Sequence, residues 1–257
     1  MKKIIVTLVL VISSTIIFAQ TMVVKKSDGT YQEIAITTAV ELSFYGPCVG
    51  PPTVTDSRDS KVYNTVQIGS QCWLKENLNV GTMINSTTGG DGSGNQTNNS
   101  TIEKYCYSDL ESNCTTYGGL YQWAEAVQYQ NGATNTTLTN LSGNVQGICP
   151  TGWHIPTYVE LQTLGSAVSS NSNALKAVGQ GTGGGAGTNT SGFSALMGGL
   201  RYSDPSFIYL GDGTPFWSTT ESDVGKAYDL VLLSSDNSIP VDINQKEYGF
   251  SVRCCKD

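Results

Sequence analysis

Seven cysteines and one histidine, His154, set the chemistry open to this 257-residue chain. Two-histidine zinc centres, the two-histidine-one-carboxylate iron triad and c-type haem with a second imidazole all need more than one histidine, so those chemistries are closed. A nucleophilic Ser-His-Asp or Cys-His arrangement would have to use His154 itself. No dinucleotide fingerprint, phosphate loop or kinase signature occurs. Glu76, Glu125 and Glu221 would make a hydrolytic pair only if two of them approach each other. Asp91, Ser93 and Asn95 match the first three ligand positions of a calcium loop, but Gly at the sixth position and Glu at the twelfth are absent. Calcium is therefore the one cofactor with any footing in the sequence, and otherwise none is expected.

Lys and Arg number 14 against 21 Asp and Glu, a formal charge of −7, and only 14% of residues are charged. An acidic chain without a basic cluster lacks the footprint of nucleic-acid binding, so no nucleic-acid partner is expected. With 29 glycines and many Ser, Thr and Asn, the composition is that of a loop-rich globular protein.

Met1-Lys2-Lys3, the apolar run Ile4 to Phe18 and then Ala19-Gln20 read as a secretory signal peptide over residues 1–19. Its apolar core is shorter than the about 20 residues of a membrane span. Cleavage leaves 12 basic and 21 acidic residues, a charge of −9, and no cysteine at the new N-terminus for lipid attachment. The expected product is exported and not a lipoprotein, in the periplasm, at the cell surface or secreted, with no stable membrane span.

In an oxidising compartment the cysteines read as disulfides. Cys106 and Cys114 flank a short polar loop and are expected to pair. Cys149 can be tied to the C-terminus through either Cys254 or Cys255, and Cys48 with Cys72 would complete three bridges. One terminal cysteine is then left over.

Several elements must position these groups. Thr21 to Lys26 and Tyr31 to Ile36, joined through Asp28-Gly29, form a hairpin pattern within residues 20–46. Residues 47–60 read as a linker leading into a first strand. Lys61 to Ile68 alternates apolar and polar residues before a second short strand at Cys72. Residues 87–100 are a solvated loop. Leu120 to Tyr129 has the spacing of a short amphipathic helix. Thr157-Tyr158-Val159-Glu160 is a capping box opening a second helix with Leu161, Leu164 and Val168 on one face. Strands are expected at Phe193 to Met197, Phe216 to Ser218, Tyr228 to Leu233, Ile239 to Ile243 and Tyr248 to Cys254. Few helices followed by many strands indicate α+β.

The run Val62 to Leu78, with Tyr117-Gly118-Gly119-Leu120-Tyr121-Gln122-Trp123, Cys149-Pro150-Thr151-Gly152-Trp153-His154-Ile155-Pro156-Thr157, Gly192-Phe193-Ser194-Ala195-Leu196, Phe216-Trp217-Ser218-Thr219-Thr220-Glu221 and Gly249-Phe250-Ser251-Val252-Arg253-Cys254, resembles the Fibrobacter succinogenes major paralogous domain over residues 61–257. The hairpin segment resembles one that precedes this domain in exported Bacteroidetes-type proteins. The resemblance implies a compact domain of the C-type-lectin-like and formylglycine-generating-enzyme-like group, with two short helices, twisted antiparallel strands and long loops. The chain lacks both the cysteine pair of the oxidases and the Glu-Pro-Asn or Gln-Pro-Asp tripeptide of the calcium lectins.

Within those motifs Trp73, Trp123, Trp153 and Trp217 are expected in the core, and His154, Thr157 and Glu160 are expected to be structural. Arg253 is expected to pair with Glu221 or Glu76. Tyr105, Tyr107, Tyr117, Tyr202 and Tyr209 are the candidate ligand-surface aromatics. The function these features favour is a non-catalytic, exported binding or interaction module for a glycan or cell-envelope polymer. The competing expectations are a diverged hydrolase or formylglycine-generating-type oxidase, and a structural subunit of an exported assembly.

Overall fold

A computed structural model describes residues 20–25, 30–36, 48 and 52–256. The expected signal-peptide segment, the Asp28-Gly29 turn and residues 47 and 49–51 of the linker lie outside these residues. The chain divides into two units, Met1–Phe44 and Tyr45–Asp257. In the first, β1 (Gln20–Lys25) pairs antiparallel with β2 (Tyr31–Ile36), with Gln20 opposite Ile36 and Lys25 opposite Tyr31.

The second unit is α+β. Val62–Ile68 buries Tyr63 near its start and Ile68 at its end while Val62, Asn64 and Gln67 stay exposed; five residues apart, the two buried side chains fall on opposite faces of the strand. This strand, β4, follows β3 (Thr53–Thr55) and turns through Gly69, whose φ of +62° suits glycine, into β5 (Gln71–Leu74). The C-terminal strand β13 (Cys255–Lys256) pairs with β5, setting Cys255 opposite Trp73 and completing an antiparallel sheet of order β13-β5-β4-β3. A second antiparallel sheet joins β10 (Gly213–Asp223), β11 (Lys226–Leu233) and β12 (Val241–Gln245) in that order. Smaller pairings are the parallel β6 (Thr82–Met83) with β7 (Glu103–Lys104) and the antiparallel β8 (Gly198–Arg201) with β9 (Phe207–Leu210).

The capping box at Thr157 is complete: its hydroxyl accepts the Glu160 amide while the Glu160 carboxylate accepts the Thr157 amide. It opens α3 (Tyr158–Ala167), whose Leu161 and Leu164 join a core with Trp73, Phe193, Phe216, Leu230 and Leu232. A second core gathers Trp123, Trp153, Trp217, Tyr121 and Phe250. Three bridges, Cys48–Cys72, Cys106–Cys114 and Cys149–Cys254, staple the second unit. Among the described residues no helix is long and apolar enough to cross a membrane.

Three local expectations need correction. The helix over Leu120 to Tyr129 shrinks to the single turn α2 (Trp123–Ala126), because the backbones of Leu120 and Tyr121 bridge Tyr105 and Phe250, and Gln128 and Tyr129 turn left-handed. A helix without apolar periodicity, α1 (Glu111–Tyr117), instead follows the Cys106 turn and is anchored by Cys114. Phe193 to Met197 and Tyr248 to Cys254 are not continuous strands. The latter threads the centre, where Gly249, Phe250 and Ser251 each bridge a different segment.

Candidate ligand cleft

Ring burial separates the aromatic residues into two groups. Trp73, Trp123, Trp153 and Trp217 are buried, with the Trp123 and Trp217 indoles donating to the carbonyls of Ser218 and Tyr121. Tyr105 must be corrected as a ligand-surface residue: it is fully enclosed, its hydroxyl donates to the Gly94 carbonyl, and the Arg201 guanidinium lies 4.3 Å over its ring. Tyr107 is half-buried against Phe207, with ring centres 5.3 Å apart. Tyr117 lines a separate cleft.

Tyr202 and Tyr209 come together with a tyrosine that sequence reasoning passed over, Tyr248. They line a cleft of about 330 Å³ walled by β8, β9 and the β10-β11-β12 sheet, with Leu200 and Phe250 among its apolar lining. The Tyr202 and Tyr248 rings meet edge to face at 4.9 Å, and Tyr248 leans on the buried Phe250. Tyr209 is 50% exposed and holds a φ of +63°. A bulky side chain in that region costs on the order of 1 kcal/mol or more. Partial burial, with Tyr209, Tyr248 and Asp204 close by, raises Tyr202 above the ordinary phenol range.

The cleft's polar groups come from the sheet. Asp242 and Asn244 on β12 line it beside Thr214 of β10, whose buried hydroxyl has no hydrogen-bond partner. Asn244 donates its amide to Asp229 at 2.9 Å, so its side-chain carbonyl is left as an acceptor. Burial pushes the Asp229 carboxyl up to about 7, against the Asn244 hydrogen bond and with Asp242 adding to the rise. No Lys or Arg lines the cleft, and its one lining carboxylate is Asp242. Rings to stack on, hydroxyl and amide groups to bond, and no cation together suit a neutral polyhydroxylated ligand.

A larger cleft of about 510 Å³ lies between Lys61, Lys75, Glu76, Asn77, Tyr117 and Arg253, and several of its polar groups are engaged internally. Glu76 accepts both the amide and the side chain of Asn64, and Asn77 spans Tyr117 and Arg253. Arg253 pairs with neither Glu76 nor Glu221, which corrects the expected ion pair: it donates to Asn77 Oδ1 and to the carbonyls of Leu74 and Phe193. Glu221 belongs to Lys246, at 2.6 Å. The three motif carboxylates are thus dispersed among separate partners. Glu125 instead accepts the Glu103 amide, and burial pushes it up to about 7.

The calcium-like loop is closed on itself. Asp91 Oδ1 accepts the Ser93 amide and hydroxyl and the Asn95 amide, and these bonds, the Ser93 hydroxyl foremost, hold its carboxyl well below the usual range. His154, Thr157 and Glu160 are brought together by the helix cap, with His154 Nε2 at 2.7 Å from Glu160 Oε1. Burial opposes ionisation of Glu160, but the bonds from His154 and Thr157 outweigh it and hold the carboxyl low. The seventh cysteine, Cys255, joins this group through its sulfur, 3.2 Å from the same imidazole nitrogen. Nothing in the spacing of positions 154, 160 and 255 signals that meeting.

Comparison with known proteins gives one match: the family model for the Fibrobacter succinogenes major domain fits residues 66–256. No curated protein and no solved structure matches.

Proposed function

The chain belongs to the Fibrobacter succinogenes major domain family, and we propose that it is an exported, non-catalytic binding module whose tyrosine cleft takes a neutral glycan or glycan-like envelope polymer. The observation that carries this reading is the convergence of Tyr202, Tyr209 and Tyr248 over Asp242, Asn244 and the partnerless Thr214 hydroxyl. Sugar rings present C–H faces that pack on aromatic rings, while their hydroxyls bond amide, hydroxyl and carboxylate groups.

Charge narrows the ligand. A cleft with a carboxylate and no cation, on a chain of net charge −7, repels sulfated and uronic-acid polymers. The three disulfides fit export to an oxidising compartment. We assign the second unit to the C-type-lectin-like and formylglycine-generating-enzyme-like group on its short helices, antiparallel sheets and long loops.

Calorimetric titration of the mature protein with neutral oligosaccharides tests the reading. Tyr248→Ala is expected to weaken binding at least about tenfold, or 1.4 kcal/mol, while Tyr117→Ala in the other cleft leaves it unchanged. Loss with Tyr117→Ala and retention with Tyr248→Ala would place the ligand elsewhere.

A further inference from the structure

Three metal-ligating side chains, His154 and Glu160 from the α3 cap and Cys255 from β13, converge beside the first turn of α3. Cys255 Sγ lies 3.2 Å from His154 Nε2 and 3.7 Å from Glu160 Oε1, and Nε2 and Oε1 are 2.7 Å apart. His154 and Cys255 are buried, and the Glu160 side chain is 14% exposed. One imidazole nitrogen carries either a lone pair or a proton, yet here it faces both a sulfur and a carboxylate oxygen. We propose that these three residues form a binding site for a thiophilic divalent cation of the zinc class.

A tetrahedral zinc centre, with Zn–S about 2.3 Å and Zn–N and Zn–O about 2.0 to 2.2 Å, sets its donor atoms roughly 3.4 to 3.6 Å apart. The two edges that involve sulfur are already close to that spacing. The remaining edge, Nε2 to Oε1, must open by about 0.7 Å to reach the tetrahedral value, a displacement that small rotations of the Glu160 side chain supply. Thiolate, imidazole and carboxylate together select zinc-like ions over calcium or magnesium, which take oxygen ligands alone.

The surroundings hold the donors in place. Glu160 divides its two oxygens: Oε2 accepts the Thr157 amide and hydroxyl, both at 2.8 Å, and Oε1 is turned toward His154 and Cys255. A ligating carboxylate fixed through its second oxygen is the outer-shell arrangement that metal sites use. His154 and Cys255 are joined by reciprocal backbone bonds of 3.0 and 2.9 Å, and Cys255 is further set by its register opposite Trp73. Binding releases the thiol proton to solvent as a sulfur–metal bond forms; His154 binds through its neutral lone pair, and no electron is transferred. The fourth position lies on the Glu160 side, the accessible edge, where water or an external donor completes the coordination.

The test is a titration of the mature, chelator-stripped, disulfide-bonded protein with Co(II) chloride, followed by Zn(II) competition against a chromophoric chelator. Expected are one equivalent of Co(II), a thiolate-to-cobalt charge-transfer absorption, and its loss on adding Zn(II). Cys255→Ser is expected to abolish that absorption and to weaken binding on the order of 100-fold or more, the size that outer-shell substitutions alone can reach. Glu160→Gln, which keeps an acceptor for the helix cap, is expected to weaken binding without abolishing the absorption. The absence of saturable binding at one equivalent overturns the proposal, as does an unchanged absorption in Cys255→Ser. Should Cys255→Ser fail to fold, His154→Gln decides: unchanged Co(II) affinity and spectrum there overturns the proposal.

Discussion

Arg253 is wholly enclosed yet meets no carboxylate; the buried Lys104 goes to Asn79 Oδ1 and Glu111, but three further buried cations are turned, like Arg253, to backbone carbonyls. Lys176 donates to the carbonyls of Leu233 and Asp236, Arg201 to those of Ser86 and Gly94, and Lys246 to those of Thr137 and Val224 besides its bond to Glu221. Long loops leave interior carbonyls without ladder partners, and an enclosed carbonyl must find a donor. One cation serves several. Asp229 is the opposite case, a buried carboxyl held near 7 in the folded state. A raised carboxyl favours folding below its unfolded value near 4, and that contribution is lost as pH rises through 7. Asp229→Asn, which keeps an acceptor for Asn244, is therefore expected to gain stability relative to the parent between pH 5 and pH 8, by at most about 4 kcal/mol. Denaturant midpoints for both proteins at the two pH values check this, and parallel curves would contradict it. Tyr209 supplies a second prediction at this scale. Its left-handed backbone is strained in a tyrosine and relaxed in a glycine. Tyr209→Gly should leave the melting temperature unchanged or raise it while glycan binding falls; a parallel loss of both would remove the residue's proposed role as a ring held in place for a ligand.

Local signals in the sequence translate into elements where one turn or one strand is self-sufficient. The capping box at Thr157 needs only residues 157–160, and it stands in the structure as the spacing predicts. Thr157→Ala is expected to cost about 1 kcal/mol, read as a lowered unfolding midpoint, with Thr157→Ser near the parent; equal midpoints for Thr157→Ala and the parent would contradict the cap. Elements decided by distant partners are less legible. Leu120 has the spacing of a helix, but tertiary bridges to Tyr105 and Phe250 claim the backbone at its start. The Tyr248 to Cys254 run has the alternation of a strand, yet each of its central residues pairs with a different neighbour, so no ladder extends.

At the level of the whole second unit, the bridges and the two cores hold together a chain rich in loops. Cys149–Cys254 closes 105 residues and fastens the C-terminal segment beside β5. Replacing both cysteines with alanine should cost about 2 to 4 kcal/mol, measured as a shift in denaturant midpoint; no shift would mean that packing alone holds the C-terminus. Cysteine spacing and the expected export made Cys48–Cys72 and Cys106–Cys114 readable, whereas Cys149 stayed open between Cys254 and Cys255, because neighbouring cysteines offer the same chemistry and only the fold chooses Cys254. The cleft was half legible. Tyr202 and Tyr209 come from a stretch that reads as a tyrosine-bearing loop, although Tyr209 lies on β9, whereas Tyr248 lies in a run that reads as strand, and nothing local reveals that β8, β9 and β12 bring all three to one cavity. Tyr105, from an equally polar stretch, is drawn inward by Arg201 and the Gly94 carbonyl. The central claim is that this cavity reads neutral glycans. The most direct measurement is binding of the mature protein, side by side with Tyr202→Ala, to an array spanning neutral, sulfated and uronic-acid glycans. Saturable binding to neutral glycans that Tyr202→Ala abolishes is the expected result; binding confined to acidic glycans, or to none, would contradict it.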